Sequence, residues 1–311
     1  MGIFVGALAQ ILDSSKTEAQ VFTIETHTAL PQKTPIRLQE YGVGIFKSLA
    51  TKSALKKVLK KKQITVDGSL ASTATWITGG ERIVLTRPES ETQQKKLVFP
   101  VHVLYEDDYL AVIHKPAGIL VSGNRFKTIA NALLQNLEYS PLKDKCKPQP
   151  VHRLDFATTG ALLVGKTRSS IRLLNKLFEN KEVTKTYYAV TIGNMPANGA
   201  INQPIDDKPA TSLFQICETV ASTRFDQLNL VELKPLTGRR HQLRKHLSGM
   251  GNPILGDRDY TPEALLLKGK GMYLHAYSLK FQHPFTNQDL LIKDELPEGF
   301  TKLFKDHIPL F

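Results

Sequence analysis

The run His152-Arg153-Leu154-Asp155 sets a guanidinium and a carboxylate two residues apart. In a strand or extended loop that spacing points Arg153 and Asp155 the same way. A carboxylate held beside a cation at the start of a rigid strand can act as a nucleophile or stabilise a developing positive charge. Taken alone, an R-x-D pair is more often a structural ion pair. A second set is Lys185-Thr186-Tyr187, where lysine and phenol share one face of a strand predicted over 186–192, with Tyr187 lining a polar cleft. A third is Thr237–His246, with four Lys/Arg and two His in ten residues. If helical from about Arg240, this segment puts Arg240 and Arg244 on one face and His241 and Lys245 on the next. Two His five apart do not fit an i,i+4 metal pair, so no metal site is expected. Several of these groups suit phosphate contact, and at least one arginine can turn inward to a carboxylate.

One motif points elsewhere. Gly160–Thr167, GALLVGKT, matches the G-x-x-x-x-G-K-[ST] loop of nucleotide triphosphatases. That loop works by turning its N–H groups inward around phosphate. Here Ala161-Leu162-Leu163-Val164 reads as a short buried strand entered through a Thr158-Thr159-Gly160 turn. The apolar filling is a strand where a P-loop needs a loop, so nucleotide binding is disfavoured.

The elements around these residues come from a chain of 311 residues with a net charge of +12, long enough for one large core and a small accessory module. Such a charge suggests a polyanionic partner. Cys146 and Cys217 are far apart, so neither a disulfide framework nor a zinc site is indicated. Gly2–Leu12 is apolar but too short to span a membrane, and it lacks a signal's basic start. A cytoplasmic chain is expected.

Residues 1–35 read as an N-terminal extension with no assigned function, although Val21-Phe22-Thr23-Ile24 has strand character. Residues 36–87 form a small module. Its basic helix Lys52–Lys62 turns Leu55, Val58 and Leu59 inward and Lys52, Lys56, Lys57, Lys60 and Lys61 outward. Ile64-Thr65-Val66 and the Asp67-Gly68 turn follow as a hairpin. Between Arg37 and Arg87 ten Lys/Arg face three Asp/Glu, a concentrated patch that favours RNA contact. Residues 88–97 are a polar linker. The second domain, 98–311, starts with a hairpin over Val101–Ile113. His114–Gly118 then form a loop able to approach a ligand, and 129–137 a short helix. Lys143–Pro150 reads as a loop, and a helix spans Ser169–Asn180. Strands follow over 228–233 and 273–281, separated by a tight loop at Gly251–Asp257.

The small module resembles the αL RNA-binding module shared by a small-subunit ribosomal protein and tyrosyl-tRNA synthetases. Arg37-Leu38 opening the first helix, the basic second helix, ITVDG at 64–68, and Gly80 carry the likeness. Gly42, Gly44 and Phe46 depart from it, standing where better helix formers are expected. The second domain resembles the RluA-type RNA pseudouridine synthases. The matching residues are His152-Arg153-Leu154-Asp155 with Thr159-Gly160, Lys185-Thr186-Tyr187 with Ala189, Thr237-Gly238-Arg239, and His241-Gln242-Leu243-Arg244. Pro253-Ile254, Gly256-Asp257 and Leu274-His275-Ala276 follow in the same order. Three positions depart from it: Asn252 in place of His, Arg240 in place of Thr or Ser, and His114 in place of Asn.

This resemblance implies an α+β fold: a long mixed, mainly antiparallel sheet flanked by helices around a central cleft, with the small α/β module added. It implies an isomerase that turns uridine in structured RNA into pseudouridine by flipping the base out, with no cofactor and no metal. Asp155 then sits at the essential aspartate, Tyr187 at the tyrosine stacking on the base, and Arg244 at the basic partner of the aspartate. Arg153 would fill the gap left by the flipped nucleotide, with His152, Arg239, His241 and Leu274 around the substrate. Arg240, Lys245 and the module's lysines would hold RNA. Large-subunit ribosomal RNA is the expected substrate, with transfer RNA open, and the chain is expected to act as a monomer. An inactive RNA-binding protein or RNA chaperone of the same fold is the competing expectation.

Overall fold

The computed structural model describes residues 22–46, 48–88 and 97–304, and the chain divides into two compact units, Met1–Lys95 and Lys96–Phe311. The apolar stretch at 2–12 and the linker residues 89–96 lie outside the described residues. In the first unit β1 (Phe22–Thr28), β2 (Ile36–Arg37), α1 (Leu38–Tyr41), α2 (Lys52–Lys60), β3 (Ile64–Val66), β4 (Ser69–Leu70), β5 (Trp76–Ile77) and β6 (Arg82–Pro88) follow one another. Phe22–Thr28 falls in the segment expected to be an extension, yet β1 pairs antiparallel with β6 along its whole length. The sheet order is β1-β6-β3-β4, and β2 pairs with β5.

The Thr51 hydroxyl caps α2 by accepting the Ala54 N–H at 3.2 Å. The 3.6-residue period then buries Leu55, Val58 and Leu59, each worth roughly 1.5–3 kcal/mol. Lys52, Lys56, Lys57, Lys60 and Lys61 are exposed. Gly42, an odd residue for a helix, ends α1 where a Cβ would lie 2.9 Å from a Leu55 methyl, so it lets α1 close on α2. Asp67 and Gly68, at φ 48° and 81°, make the left-handed hairpin turn that Asp-Gly favours.

The second unit runs β7 (Val103–Glu106), β8 (Leu110–Lys115), α3 (Ile129–Ala132), β9 (Lys145–Pro150), β10 (Thr159–Thr167), α4 (Arg168–Glu179), β11 (Thr184–Ile192), β12 (Asn198–Ile201), β13 (Ser212–Ser222), β14 (Asp226–Pro235), α5 (Gln242–Gly249), β15 (Leu274–Gln282), β16 (Asp289–Lys293) and α6 (Glu298–Leu303). They build one mixed, mainly antiparallel sheet ordered β12-β13-β14-β11-β15-β10-β8-β7, with β9 on β10 and β16 on β15. β10 and β15 are parallel neighbours, pairing Thr159 with His275 and Gly160 with Ala276. A Cβ at Gly160 would lie 2.3 Å from the Ala276 carbonyl oxygen, so only glycine lets the strands meet there.

Four local expectations are corrected. The turn before β10 lies at Phe156-Ala157, closed by Thr158 N–H on Asp155 O at 3.2 Å, and Thr159-Gly160 already belong to the strand. His114 and Lys115 extend β8 rather than forming a loop, because both pair across to β10. Lys145–Pro150 is a strand, not a loop. Finally, the helix expected from Arg240 starts at Gln242, so Arg240 lies outside it and shares no helical face with Arg244.

The G-x-x-x-x-G-K-T stretch is strand β10 throughout. Gly165 is required because a Cβ would lie 2.6 Å from Ile171 of α4, and buried Lys166 bonds Glu106 Oε1 at 2.6 Å and Asp107 O at 2.7 Å. These glycines serve packing, and the lysine is occupied.

Candidate active site

A cleft of about 740 Å³ opens in the second unit, ample for a nucleotide. Four segments wall it: the loop 152–158 before β10, the end of α4, the start of β11, and the loop 235–241 leading into α5. Its lining carries Arg153, Lys181, Lys185, Arg239, Arg240 and Arg244 against only Asp155 and Glu179. That imbalance attracts a polyanion.

Asp155 is half-buried, and among the described residues no hydrogen bond occupies its carboxylate. Arg244 Nη1 stands 3.6 Å from one oxygen and His241 Nε2 3.7 Å from the other. Arg244, 6% exposed at its side chain, donates instead to Asp257 from Nε at 2.7 Å and Nη2 at 2.6 Å, and to Asp259 at 2.6 Å. Burial opposes its charge, but those two carboxylates outweigh burial and hold its pKa above the usual guanidinium value. Its plane also lies over the Tyr260 ring, 4.9 Å from the centroid.

Tyr187 reaches the cleft from β11 and packs against two apolar clusters, one containing Leu274 and the other Leu154. Its hydroxyl has no hydrogen-bond partner among the described residues. Burial, then the Asp155 charge, raises its pKa well above that of free tyrosine, so the phenol stays protonated.

His241 sits ahead of α5 in a left-handed conformation, φ 55°, and bonds Tyr260 OH through Nδ1 at 2.9 Å. Burial lowers its pKa, with Asp155 pulling the other way and Arg244 adding to the drop. The loop is fixed by Gln242, whose Oε1 accepts from Thr237 Oγ1 at 2.7 Å and from Arg239 N–H at 3.0 Å. Arg239 Nε donates to Pro209 O at 3.1 Å. His152 lines the cleft but is committed to structure: Nε2 accepts the Leu163 N–H at 2.9 Å, and the ring stacks on Phe178. Burial pulls its pKa down to about 3.

The structure therefore gathers Asp155, Tyr187, Arg244, Arg153, His152, Arg239, Arg240, His241 and Leu274 at one cleft. Lys245 points away to Asp206 at 2.9 Å, and Lys52 pairs with Glu40 in the first unit. Sequence reasoning missed Lys115. It is fully buried, and Nζ donates to Pro116 O at 2.9 Å, Phe156 O at 3.3 Å and Thr158 O at 2.7 Å, gripping the turn just after Asp155. The signal was a lysine ending the apolar strand LAVIHK. Asp259, too, was missed, and nothing in its spacing marks it. Among the described residues no His/Cys/Asp/Glu group could hold a metal, and no helix is long and apolar enough to cross a membrane.

Comparison with known proteins agrees with this geometry. The family described as RNA pseudouridylate synthase matches residues 109–249, from β8 into α5. Ribosomal large subunit pseudouridine synthase D of Vibrio cholerae is 31% identical over 309 residues, covering 89% of this chain and 93% of that protein. Ribosomal large subunit pseudouridine synthase C of Rickettsia felis is 31% identical over 301 residues, covering 87% and 97%. Among solved structures, human RNA pseudouridylate synthase domain containing 4 aligns at a TM-score of 0.51 and 26% identity, over 64% of this chain and 90% of that one. With 93% of one relative matched end to end and an open aspartate at the cleft those comparisons span, this chain belongs to the RluA-type RNA pseudouridine synthases and is an isomerase of uridine in RNA.

Proposed function

We propose that the enzyme isomerises uridines of large-subunit ribosomal RNA by flipping the target base into the cleft, with Asp155 as the essential carboxylate and no cofactor. The reaction breaks the N1–C1′ bond, turns the uracil and joins C5 to C1′; C5 loses a proton and N1 ends with one. Nothing is oxidised and nothing is transferred from outside, so the chemistry asks for no cofactor. An ionised carboxylate is needed, either to attack or to stabilise the sugar cation.

The observation that carries this reading is the free Asp155 carboxylate on the cleft wall, with the Tyr187 phenol and Arg244 guanidinium beside it. Tyr187 would stack on the everted uracil, since it lines the cleft and apolar neighbours anchor its ring there. Arg153 is exposed at the cleft wall and free to fill the vacated stack. Unstacking costs a few kcal/mol, which stacking and phosphate contacts offset. The ribosomal substrate follows from what the relatives from Vibrio cholerae and Rickettsia felis are named for. The first unit, with its exposed lysines, would add affinity for structured RNA by raising effective concentration. The enzyme would work as a monomer in the cytoplasm.

The test is a transcript-wide pseudouridine map of cells with the gene, without it, and with Asp155→Asn. Sites present with the wild type and lost in both other strains, while purified Asp155→Asn still binds RNA, are expected. Identical maps from all three would leave an RNA-binding protein or RNA chaperone as the better reading.

A further inference from the structure

One corner of the cleft holds positive charge that the chain does not neutralise. Lys181 and Lys185 line it, next to the His152–Phe178 stack at the junction of α4 and β11. Among the described residues neither ammonium has a hydrogen bond or an ion pair. Two arginines of the cleft differ, Arg244 being held by Asp257 and Asp259 and Arg239 by Pro209 O, while Arg240 is exposed to solvent. Lys185 is half-buried, and burial followed by the Lys181 charge holds its ammonium below the usual lysine range. A desolvated cation left without a counter-charge is costly unless an anion arrives.

Lys181 brings a second, separate observation. It follows Asn180, the C-cap of α4, with φ 62°. Its N–H bonds Phe178 O and the Glu182 N–H bonds Leu177 O, the paired pattern that closes a helix through a left-handed residue. Glycine suits that position because a Cβ crowds the backbone there. A cation near a helix C-terminus gains from the dipole, which explains a basic residue in the last turn but not lysine in the place of glycine. Lys62 closes α2 in the same way, at φ 57°, so a left-handed lysine is not peculiar to this site; at Lys181 it belongs to the cleft lining.

We propose that Lys181 and Lys185 form a phosphodiester-binding subsite that grips the RNA backbone next to the everted uridine. Two residues of extended strand, roughly 6–7 Å, separate Lys185 from Tyr187, so the phosphate held there belongs to the target nucleotide or its immediate neighbour. This rests on the reading of the cleft as the uridine site.

The test measures binding of in vitro transcribed, unmodified large-subunit ribosomal RNA across a salt series, in an Asp155→Asn background so that nothing turns over. Lys185→Gln and Lys181→Gly should each flatten the slope of log affinity against log salt by about 0.7–0.9, the double change by about twice that, and Lys185→Arg should leave it in place. Lys181→Gly should also keep or raise the melting temperature, since glycine relieves the backbone. An unchanged slope in Lys185→Gln, or a lower melting temperature in Lys181→Gly, overturns the subsite. Pseudouridine formation by the wild type is scored separately. Product with unchanged slopes removes the subsite and keeps the synthase reading; flattened slopes without product do the reverse.

Discussion

Arg244 and Asp155 meet at 3.6 Å, Nη1 to Oδ2, close enough to feel each other's charge and too far for a hydrogen bond. The guanidinium spends its short bonds on Asp257 and Asp259 instead. An aspartate clamped face to face by arginine would be occupied. Here Asp257 takes the fork, the arginine is locked in place, and the Asp155 oxygens stay open toward the cleft under a fixed positive field.

That arrangement makes Asp257 as important as the residue it holds. Asp257 is fully buried at its side chain, so Asp257→Asn strips a buried arginine of its bidentate partner, at a cost of about 3–5 kcal/mol. Arg244→Lys keeps the charge and loses the fork, and should cut kcat at least about tenfold. Urea unfolding and single-turnover pseudouridine assays read the two effects. A stable, active Asp257→Asn enzyme would refute the account of Arg244.

Tyr187 separates stacking from proton chemistry. Its ring is anchored by two apolar clusters, so Tyr187→Phe should leave KM within about threefold, while loss of the hydroxyl lowers kcat by roughly 10²-fold or more if it assists proton transfer. Tyr187→Ala should raise KM as well. Because burial and Asp155 raise the phenol's pKa, no limb of the kcat profile between pH 6 and 10, as a rough span, should trace to it. A limb that vanishes in Tyr187→Phe would contradict this.

Much of this site is visible in residue patterns, and the misses have physical causes. β-branched, aromatic and apolar content marks β11 and β14, which are covered on both faces over 188–192 and 228–231, and helical period marks α2 and α4, because each buries one face. Lys145–Pro150 reads as a loop for its prolines and lysines, but β9 pairs only with β10, and an edge strand tolerates both. The start of α5 is misplaced because His241 is left-handed and bonded to Tyr260, nineteen residues on, while the Gln242 side chain ties down Thr237 and Arg239 ahead of the helix. Convergence of Asp155, Tyr187 and Arg244 follows from strand order, which no local pattern carries. A lysine ending the apolar strand LAVIHK marks Lys115 as unusual, but only the fold says what its ammonium meets.

The parallel junction below Asp155 is unforgiving. Gly160→Ala puts a Cβ 2.3 Å from Ala276 O at φ 119°, and both are backbone constraints that cannot relax cheaply. A loss of more than about 2 kcal/mol is expected, within the range of strained special positions. Gly118→Ala, also at positive φ (82°) but with open space around it, should cost less. Equal costs for the two would show that the strand contact does not matter.

In the first unit, Lys56→Glu with Lys60→Glu places two acids on the exposed face of α2 without touching Leu55, Val58 or Leu59. RNA affinity should fall and its salt dependence flatten, with melting unchanged. An unaltered salt slope would remove this unit from the RNA interface.

Lys115 supplies the sharpest pH prediction. Burial pulls its ammonium down to about 8 from an ordinary 10.5, with Asp155 pulling back up. The unfolded chain therefore holds one more proton than the folded chain between those values, so stability climbs as pH rises through that window and is lowest below about 8, by about 3 kcal/mol. Activity should move the other way. Three carbonyls, of Pro116, Phe156 and Thr158, take the three N–H donors of the charged form, and a neutral amine has only two. Deprotonation loosens the turn after Asp155 and removes a positive neighbour from it. Lys115→Met should abolish the climb, seen as urea midpoints that rise with pH in the wild type from neutral to alkaline and fall short of that rise in the variant. If wild type and Lys115→Met show the same trend, the buried ammonium does not set this window, and its grip on the Asp155 turn must be argued from geometry alone.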